Sequence, residues 1–442
     1  MVQKMDIAAT LEIKNKSRAP VTLRQSYFAA ISIVCILSMN FTSCKDESNT
    51  YTKTIPYSDG AYTIRVPGCS KGTLTIQNAS NENAELYITP TKLDLYNDSS
   101  IVRGIMNDTL SEKQKCFALW KFVADWTYHQ RPLSESNNQQ SEPAILLNAF
   151  EYGYCDDRNT ALAKLATIAG IKSRIYNLNG HVVAEMFYNN NWHMFDSDKK
   201  LIYLNADKEV ADIEYLTTHT EVIDQKNNEL EFFFDRYRNR KTKEALLTTS
   251  DNFISTSHLN PTENYNSGIL LRSGDILEMS CEQVNFLKKW FWIDVVRKNG
   301  PLYNNEGLLS QRVELSKPIS GSRDYYYASD TLPYPITKMT IECKESYRIY
   351  YSCDNQNWHY KGQSGKRHSS ITFTPRNSIN DPYVFYYFLK LVPEKVGKRK
   401  NVKIFNHFIF SDKGMINNPE NSFQIVPLNE ACKKLIVKFD SK

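Results

Sequence analysis

The chain has 442 residues, of which 41% are hydrophobic and 23% charged, which excludes a mainly disordered protein and leaves room for two or three domains. The formal net charge is +5, but the first 43 residues hold five basic and two acidic side chains, so the remainder carries only +2. That small excess gives no support for a nucleic-acid partner, which needs concentrated positive charge.

An apolar segment near the N-terminus predicts export. It covers about fifteen residues, Tyr27 to Phe41, and is shorter than the roughly 20 apolar residues that span a bilayer. Small residues then precede Cys44, a pattern that resembles the bacterial lipobox and predicts that Cys44 is lipidated. Residues 1–44 are therefore predicted to be a lipoprotein signal peptide with its lipidation cysteine, and the protein an exported outer-membrane lipoprotein, held to the membrane by lipid at the cell surface. An ordinary cleaved secretion signal and an uncleaved anchor are the alternatives.

Two regions follow. Residues 45–97 are predicted to be a tether and a small β segment, because apolar and polar side chains alternate from Tyr62 to Leu95. Residues 98–250 are predicted to be a core with a helical extension, whose last part, residues 205–248, is polar. Asp98 and Ser99 can cap its first helix.

The next elements of this core carry clear start and stop signals. Ser111 and Gln114 form a capping box at the start of the second helix. The third helix is predicted to follow Gly153-Tyr154-Cys155, to run through Asp156 to Ala169 and to stop at Gly170. Two strands follow, from about His181 to Tyr188 and from Trp192 to Phe195.

The last region, residues 251–442, is predicted to be β-rich, and a β-sandwich is expected over 320–442, because short strand-like segments recur between turn residues. The stretch Arg348 to Trp358 resembles discoidin-like carbohydrate-binding sandwiches, which implies a glycan as a partner of this domain. A plain structural sandwich with a buried Trp358 is the preferred alternative.

Cys155 is the candidate nucleophile. A cysteine in the first turn of a helix lies near unpaired backbone amides, which favour the thiolate. Asp156 and Asp157 oppose this effect, so the thiol needs a base. The backbone amide of Cys155 is also expected to donate to an oxyanion, together with a second donor that the sequence does not identify.

His181 and Asp196 are the candidate base and its orienting carboxylate. If Asn189 and Asn190 form a two-residue turn, Val183 lies opposite Asp196, and His181 and Asp196 become diagonal neighbours on one face of the hairpin. A register shifted by one residue would place them on opposite faces. The carboxylate would then fix the imidazole tautomer while the other ring nitrogen takes the thiol proton.

Other polar side chains near these residues receive weaker assignments. His193 has the opposite strand parity to Asp196 and is predicted to be structural. His129 could line the cleft, but solvent exposure is preferred, and Glu185 is a candidate second polar group on the face of His181. None of the nine cysteines forms a CxxC pair, so neither a metal site nor any other cofactor is predicted. Cys343 and Cys353 are a candidate disulfide.

Together, these residues resemble the transglutaminase-like superfamily. The matching features are Gly153-Tyr154-Cys155, the helix to Gly170, Arg174, Gly180-His181, Trp192 and Asp196. The resemblance implies a papain-like core, a thioester on the cysteine, and hydrolysis or transfer to an amine. The predicted fold class is therefore α+β, a papain/transglutaminase-like core followed by a β-rich C-terminal region.

The predicted function is that of an exported thiol enzyme, a hydrolase or acyltransferase, that attacks an amide or peptide carbonyl of a peptide, protein or glycopeptide. Hydrolysis is favoured, because the sequence carries no pattern typical of calcium sites or amine-acceptor binding. The alternative is a non-catalytic cell-surface lipoprotein that binds glycan or protein on the same scaffold.

Overall fold

The computed structural model describes residues 51–66, 71–133, 138–224, 253–256, 259, 265–282, 305–315, 324–365, 370–376, 383–394, 401–415 and 420–441. The predicted signal peptide, the lipidation site at Cys44 and residues 225–248 of the predicted polar helical stretch lie outside these ranges. Within them, no helix has the length and apolar character needed to cross a bilayer.

Strands are the commonest element of the described structure, and nearly all of them pair antiparallel. In chain order they are β1 (Tyr51–Ile55), β2 (Tyr62–Arg65), β3 (Lys71–Asn78), β4 (Ala84–Pro90), β5 (Tyr128–His129), β6 (Tyr152–Gly153), β7 (Ser173–Leu178), β8 (His181–Tyr188), β9 (Asn191–Phe195), β10 (Phe253–Ser255), β11 (Ile269–Leu271), β12 (Ile276–Glu282), β13 (Asn305–Glu314), β14 (Tyr325–Ala328), β15 (Ile336–Glu342), β16 (Tyr347–Ser352), β17 (His359–Gln363), β18 (Ser370–Phe373), β19 (Phe388–Pro393), β20 (Asn401–Phe410), β21 (Ser422–Pro427) and β22 (Leu435–Ser441).

The helices are concentrated in the middle of the chain. They are α1 (Asp98–Ile105), α2 (Glu112–Trp126), α3 (Pro143–Ile145), which continues as a π-helix (Leu146–Phe150), α4 (Cys155–Ile168), α5 (Ile213–Thr218) and α6 (Glu221–Asp224). Short 3-10 turns cover Asn138–Ser141, Asp412–Gly414 and Glu430–Lys434.

The largest sheet combines strands from both ends of the described chain. Its eight strands follow the order β1-β22-β3-β12-β13-β20-β15-β18. In its centre, Leu74 of β3 lies opposite Phe439 of β22 on one side and Met279 of β12 on the other. Two further four-stranded sheets, β11-β4-β21-β2 and β14-β19-β16-β17, contribute to the same hydrophobic core.

The predicted fold class, an α+β papain/transglutaminase-like core followed by a β-rich C-terminal region, is wrong. Strands hold 44% of the described residues and helices 22%, and the strands form several antiparallel sheets. The physical reason lies in the partners of the early strands. β1, β3 and β4 pair with strands that come after residue 268, so the β structure surrounds the helical segment in sequence instead of following it.

A second hydrophobic core lies between the helices and a smaller sheet, β10-β7-β8-β9. Leu119 and Val123 of α2, Leu162 and Leu165 of α4, and Phe195 of β9 are buried in it. This packing fixes α4 against β8 and β9, which are the elements that hold the candidate catalytic residues.

The local signals of this region are largely confirmed. The capping box of α2 forms, with the Gln114 amide 3.3 Å from Ser111 Oγ and the Ser111 amide 2.9 Å from Gln114 Oε1. The helix predicted through Asp156 to Ala169 forms as α4, which begins at Cys155 and ends at Ile168, and Gly170 follows it with a φ of +77°. The cap predicted for α1 is wrong by one position, because Asn97 and not Asp98 or Ser99 accepts from the first-turn amide.

Candidate active site

The segment before Cys155 is a short strand that turns directly into α4. β6 pairs in parallel with β5, and His129 lies opposite Gly153. A Cβ atom at Gly153 would lie 2.7 Å from Asp157 Oδ2, so only glycine allows this close approach. The Asp157 carboxylate in turn accepts from the Tyr154 amide at 2.9 Å. These contacts fix the backbone that presents Cys155 at the start of the helix.

The hairpin register predicted from the asparagine pair is confirmed. Asn189 and Asn190 have φ values of 49° and 61°, as a two-residue turn between right-twisted strands requires. Tyr188 lies opposite Asn191, and Ala184 lies opposite Phe195. Asp196 follows Phe195 along the chain and so comes next in this register, opposite Val183. It therefore lies on the same face of the hairpin as His181.

His181 and Asp196 form a buried hydrogen bond. The distance from His181 Nε2 to Asp196 Oδ2 is 2.7 Å, and both side chains are almost fully enclosed. The other carboxylate oxygen, Oδ1, accepts from the backbone amides of Asp198 and Lys199 at 3.0 and 2.9 Å. Burial opposes ionisation of Asp196, but the charge and hydrogen bond of His181 outweigh it and lower the pKa of the carboxyl. Asp196 is thus a fixed carboxylate that orients the imidazole.

Two side chains of the helices hold the end of β9 in place. The Trp120 indole donates to the Asp196 carbonyl at 3.0 Å. Asn159 Oδ1 accepts from the Ser197 amide at 2.9 Å, while its Nδ2 donates to the Val182 carbonyl at 2.8 Å. Asn159 therefore connects β8, the strand that begins at His181, with the turn that follows Asp196.

Cys155 is partly exposed, and buried or nearby acidic groups act on its thiol. Burial, followed by the negative charges of Asp198 and Asp156, raises the pKa of the thiol well above its ordinary value, and a hydrogen bond from the Val182 backbone partly offsets this. Among the hydrogen bonds of the described residues, none joins the thiol to the imidazole of His181. His181 Nε2 is engaged by Asp196, which leaves Nδ1 as the ring nitrogen that would accept the thiol proton.

A second histidine–carboxylate pair lies beside the first. His129 Nδ1 is 2.6 Å from Asp198 Oδ1, and the His129 side chain is only 14% exposed. The preferred prediction of a solvent-exposed His129 is therefore wrong, because β5 pairs with β6 and brings it against the turn before Cys155. Two opposing effects act on the pKa of the Asp198 carboxyl. Burial raises it, but His129 and Arg158 lower it by more, so the pKa lies below its ordinary value.

Arg158 and Asp198 were missed by the sequence reasoning. The Arg158 guanidinium is 1% exposed and donates to Asp198 Oδ1 at 2.8 Å, to the carbonyls of Ser197 and Asp198, and to Thr127. The available signal was the spacing: Asp198 follows Asp196 by two residues, and Arg158 lies almost one helical turn beyond Cys155.

The two remaining candidate polar residues are structural. His193 is buried, its ring stacks on Tyr188 with centroids 3.6 Å apart, and its nitrogens face the carbonyls of Val210 and Tyr188. Glu185 is buried and binds Arg174 Nε at 2.6 Å and the Ile213 amide at 2.8 Å. Its oxygens are thus engaged away from the thiol.

A disulfide and a metal site are two further features that cysteine and acidic side chains could form among the described residues. No disulfide joins Cys343 to Cys353, so the predicted pairing is not formed. Within the described ranges, no three His, Cys, Asp or Glu side chains are grouped in a way that could hold a metal ion.

The sequence matches no protein-family profile. No curated protein has a significantly similar sequence.

Proposed function

We propose that this protein is an exported thiol hydrolase of the transglutaminase-like class, which attacks an amide or peptide carbonyl through a thioester on Cys155. The observation that carries the proposal is the buried 2.7 Å contact between His181 Nε2 and Asp196 Oδ2. A carboxylate on one ring nitrogen fixes the tautomer in which the other nitrogen is a base. The partly exposed thiol at the start of α4 is the group on which that base would act.

In the proposed reaction, His181 Nδ1 takes the thiol proton as the sulfur bonds to the carbonyl carbon. The carbon–nitrogen bond breaks, and the departing amine receives that proton from His181. Water then cleaves the thioester and the sulfur recovers a proton. The raised pKa of Cys155 makes the base essential, since few thiolates exist without it.

Labelling with an activated acyl ester, p-nitrophenyl acetate, tests the nucleophile. Acetyl transfer to the peptide that contains Cys155 is expected in the parent protein and should be absent in Cys155→Ala. Cys353→Ala is the matched control, because Cys353 is also a partly exposed cysteine, and it should label like the parent. If Cys155→Ala labels as strongly as the parent, the proposed nucleophile is wrong.

The acceptor and the substrate are separate parts of the proposal. Peptide, protein and glycopeptide amides are the proposed substrates, with water as the acceptor. Mass spectrometry of the products distinguishes the two acceptors, since hydrolysis yields a carboxylic acid and transfer to an added amine yields a new amide. A new amide as the main product would show that the protein is an acyltransferase and not a hydrolase.

The proposed location is the outer membrane, with lipid on Cys44. Cells fed a labelled fatty acid should incorporate it into the parent protein and not into Cys44→Ser. Equal incorporation into both proteins would exclude Cys44 as the anchor.

A second candidate function, glycan binding without catalysis, is favoured by one surface. Across the sheet β14-β19-β16-β17, Tyr326 lies opposite Lys390, Lys390 opposite Tyr350, and Tyr350 opposite Tyr360. The Lys390 ammonium lies 4.8 Å from the ring centre of Trp358, which is partly exposed rather than buried as the structural alternative requires. These aromatic and cationic groups form one row across the sheet, and sugar rings are the proposed ligands of that row.

Glycan-array binding tests this second function. Binding should survive in Cys155→Ala and be lost in Trp358→Ala. Phe253→Ala is the control, since Phe253 is an exposed aromatic side chain on a different sheet. Binding that is unaffected by Trp358→Ala would exclude the platform.

A further inference from the structure

The ladder between β8 and β9 ends where the catalytic residues begin. Its last pair is Ala184 opposite Phe195. A two-residue turn is closed by a hydrogen-bonded pair, and such pairs recur at every second residue along an antiparallel ladder. Counted from the hairpin turn, Ala184 and Phe195 form one of them. The next would join Val182 of β8 to Ser197, which follows β9.

Two side chains of α4 take up the backbone groups that this next pair would have used. The Val182 carbonyl accepts from Asn159 Nδ2 at 2.8 Å, and the Ser197 N–H donates to Asn159 Oδ1 at 2.9 Å. The Ser197 carbonyl accepts from Arg158 Nη2 at 2.7 Å. Three of the four groups are thus bound to the helix. The fully buried Asn159 carboxamide lies between the two strands like an added peptide group.

The fourth group, the Val182 N–H, lies on the side of the nucleophile. It belongs to the same edge of β8 as the Val182 carbonyl, so it also faces α4. Cys155, Arg158 and Asn159 are three and four residues apart and share one face of that helix. Burial and then nearby carboxylates raise the pKa of the Cys155 thiol, whereas a hydrogen bond from the Val182 backbone lowers it. A donor that lowers a thiol pKa stabilises the thiolate.

From these contacts, and resting on the proposed function, we infer that Asn159 is a positioning residue for Cys155. By bonding to both strands it keeps them from closing their ladder, so that the Val182 N–H donates to the sulfur and not to the Ser197 carbonyl. When His181 Nδ1 takes the thiol proton, this N–H stabilises the thiolate that is left. A carboxamide suits the position because it supplies a donor and an acceptor at once, whereas a carboxylate supplies only acceptors.

Replacing the Val182 amide by an ester tests the donor without changing any side chain. The α-hydroxy acid analogue of valine, incorporated at position 182, exchanges the N–H for an oxygen. The readout is the pH dependence of Cys155 alkylation by iodoacetamide, measured by mass spectrometry of the peptide that contains Cys155. The pKa of the thiol should rise, and alkylation at pH 8 should slow by about 10- to 100-fold, as for loss of a hydrogen bond to a charged group.

The same ester at Val183 is the matched control. Val183 is also a buried valine of β8, but it lies opposite Tyr176 in the ladder with β7. Its N–H therefore points away from α4. This ester should lower stability and leave the pH profile of Cys155 alkylation as in the parent.

Asn159→Leu tests the positioning role, since leucine has a similar shape but bonds to neither strand. Alkylation should slow to the same extent as in the Val182 ester. Combining the two changes should bring no further loss, because both remove the same hydrogen bond to the sulfur; a merely structural role would give additive losses. Asn148→Leu is the matched control, because Asn148 is also buried and donates to the carbonyls of Leu95 and Ala144 at 2.9 Å. It should leave the pH profile unchanged.

The outcomes separate this inference from the proposed function. If p-nitrophenyl acetate never acylates Cys155 in the parent, the proposed function fails, while the alkylation profiles still decide the role of Asn159. An unchanged profile in the Val182 ester, or additive losses in the combined protein, overturns the inference. It is also overturned if the ester slows acylation but not alkylation, since the N–H would then serve the oxyanion. If Asn159→Leu does not fold, the Val182 ester must still raise the thiol pKa, and failure to do so overturns the inference.

Discussion

Asp196→Asn should abolish the base function of His181 with little change in shape. The new side chain keeps an oxygen at Oδ1, where the amides of Asp198 and Lys199 donate. Its NH₂ group then replaces Oδ2 and points a donor at His181 Nε2, which is 2.7 Å away in the parent. Two donors cannot share that position, so the imidazole must move its proton to Nδ1. The nitrogen that should receive the thiol proton is then already protonated.

The size of the effect follows from the loss of proton transfer. In the serine proteases the same substitution forces the wrong tautomer and lowers kcat about 10⁴-fold. That factor corresponds to roughly 5.5 kcal/mol of transition-state stabilisation. We expect a loss of this order in the rate at which p-nitrophenyl acetate acylates Cys155, measured as the first release of p-nitrophenolate. Thermal unfolding should confirm that the variant remains folded.

The assay that isolates the physical cause is nitrogen NMR of labelled histidine side chains. At a pH where His181 is neutral, the parent should carry its proton on Nε2 and Asp196→Asn should carry it on Nδ1. Cys155 alkylation by iodoacetamide provides the functional comparison. If the variant reacts at the parental rate, or if His181 keeps its proton on Nε2, the reasoning from the 2.7 Å contact is refuted.

Two other predictions concern the charges around α4. Arg158→Met should lower the free energy of unfolding in urea by about 3–5 kcal/mol, because it removes the guanidinium from the buried Asp198 carboxylate and leaves His129 as that carboxylate's side-chain partner; adding Asp198→Asn should recover part of this, and a loss below about 1 kcal/mol would contradict it. The pKa of Asp157 is raised to about 7, first by burial and then by Asp156. The folded state therefore retains a proton that the unfolded state releases near pH 4, so stability should fall as pH rises from about 4 to about 7. Asp157→Asn should remove this slope, worth roughly 4 kcal/mol at most, and unfolding at about pH 5 and pH 8 measures it; equal slopes in both proteins would exclude Asp157.

The hairpin of the site could be predicted because its signals are local. Asn189 and Asn190 accept positive φ, and the alternation of side chains on either side fixes the register. Once the register is set, the meeting of His181 and Asp196 follows from geometry alone. The start of α4 at Cys155 was equally local, since glycine and helix-stop signals bracket it.

The sheet order could not be predicted because it depends on contacts between distant parts of the chain. The alternation in β3 indicates a strand, but nothing within it indicates that Leu74 lies between Met279 and Phe439. Strands were thus recognised while their partners were not, and the β segments were wrongly taken as separate from one another.

Arg158 was missed, and His129 was wrongly expected to be exposed, for a related reason. An arginine among acidic neighbours on a helix ordinarily lies at the surface, and only the distant Asp198 makes its burial possible. His129 is positioned by a parallel pairing of two residues with Tyr152 and Gly153, which is too short to leave a pattern in the sequence.

The pairing of β22 with β1 and β3 has a consequence for the order of folding. β1 and β3 are synthesised long before β22, so they must wait with unpaired edges while several hundred residues are made. Such edges are the surfaces through which chains aggregate. The helical segment with Cys155 has mostly nearby partners and can become ordered earlier. A chain that lost β22 should therefore self-associate before the contact between His181 and Asp196 is disturbed.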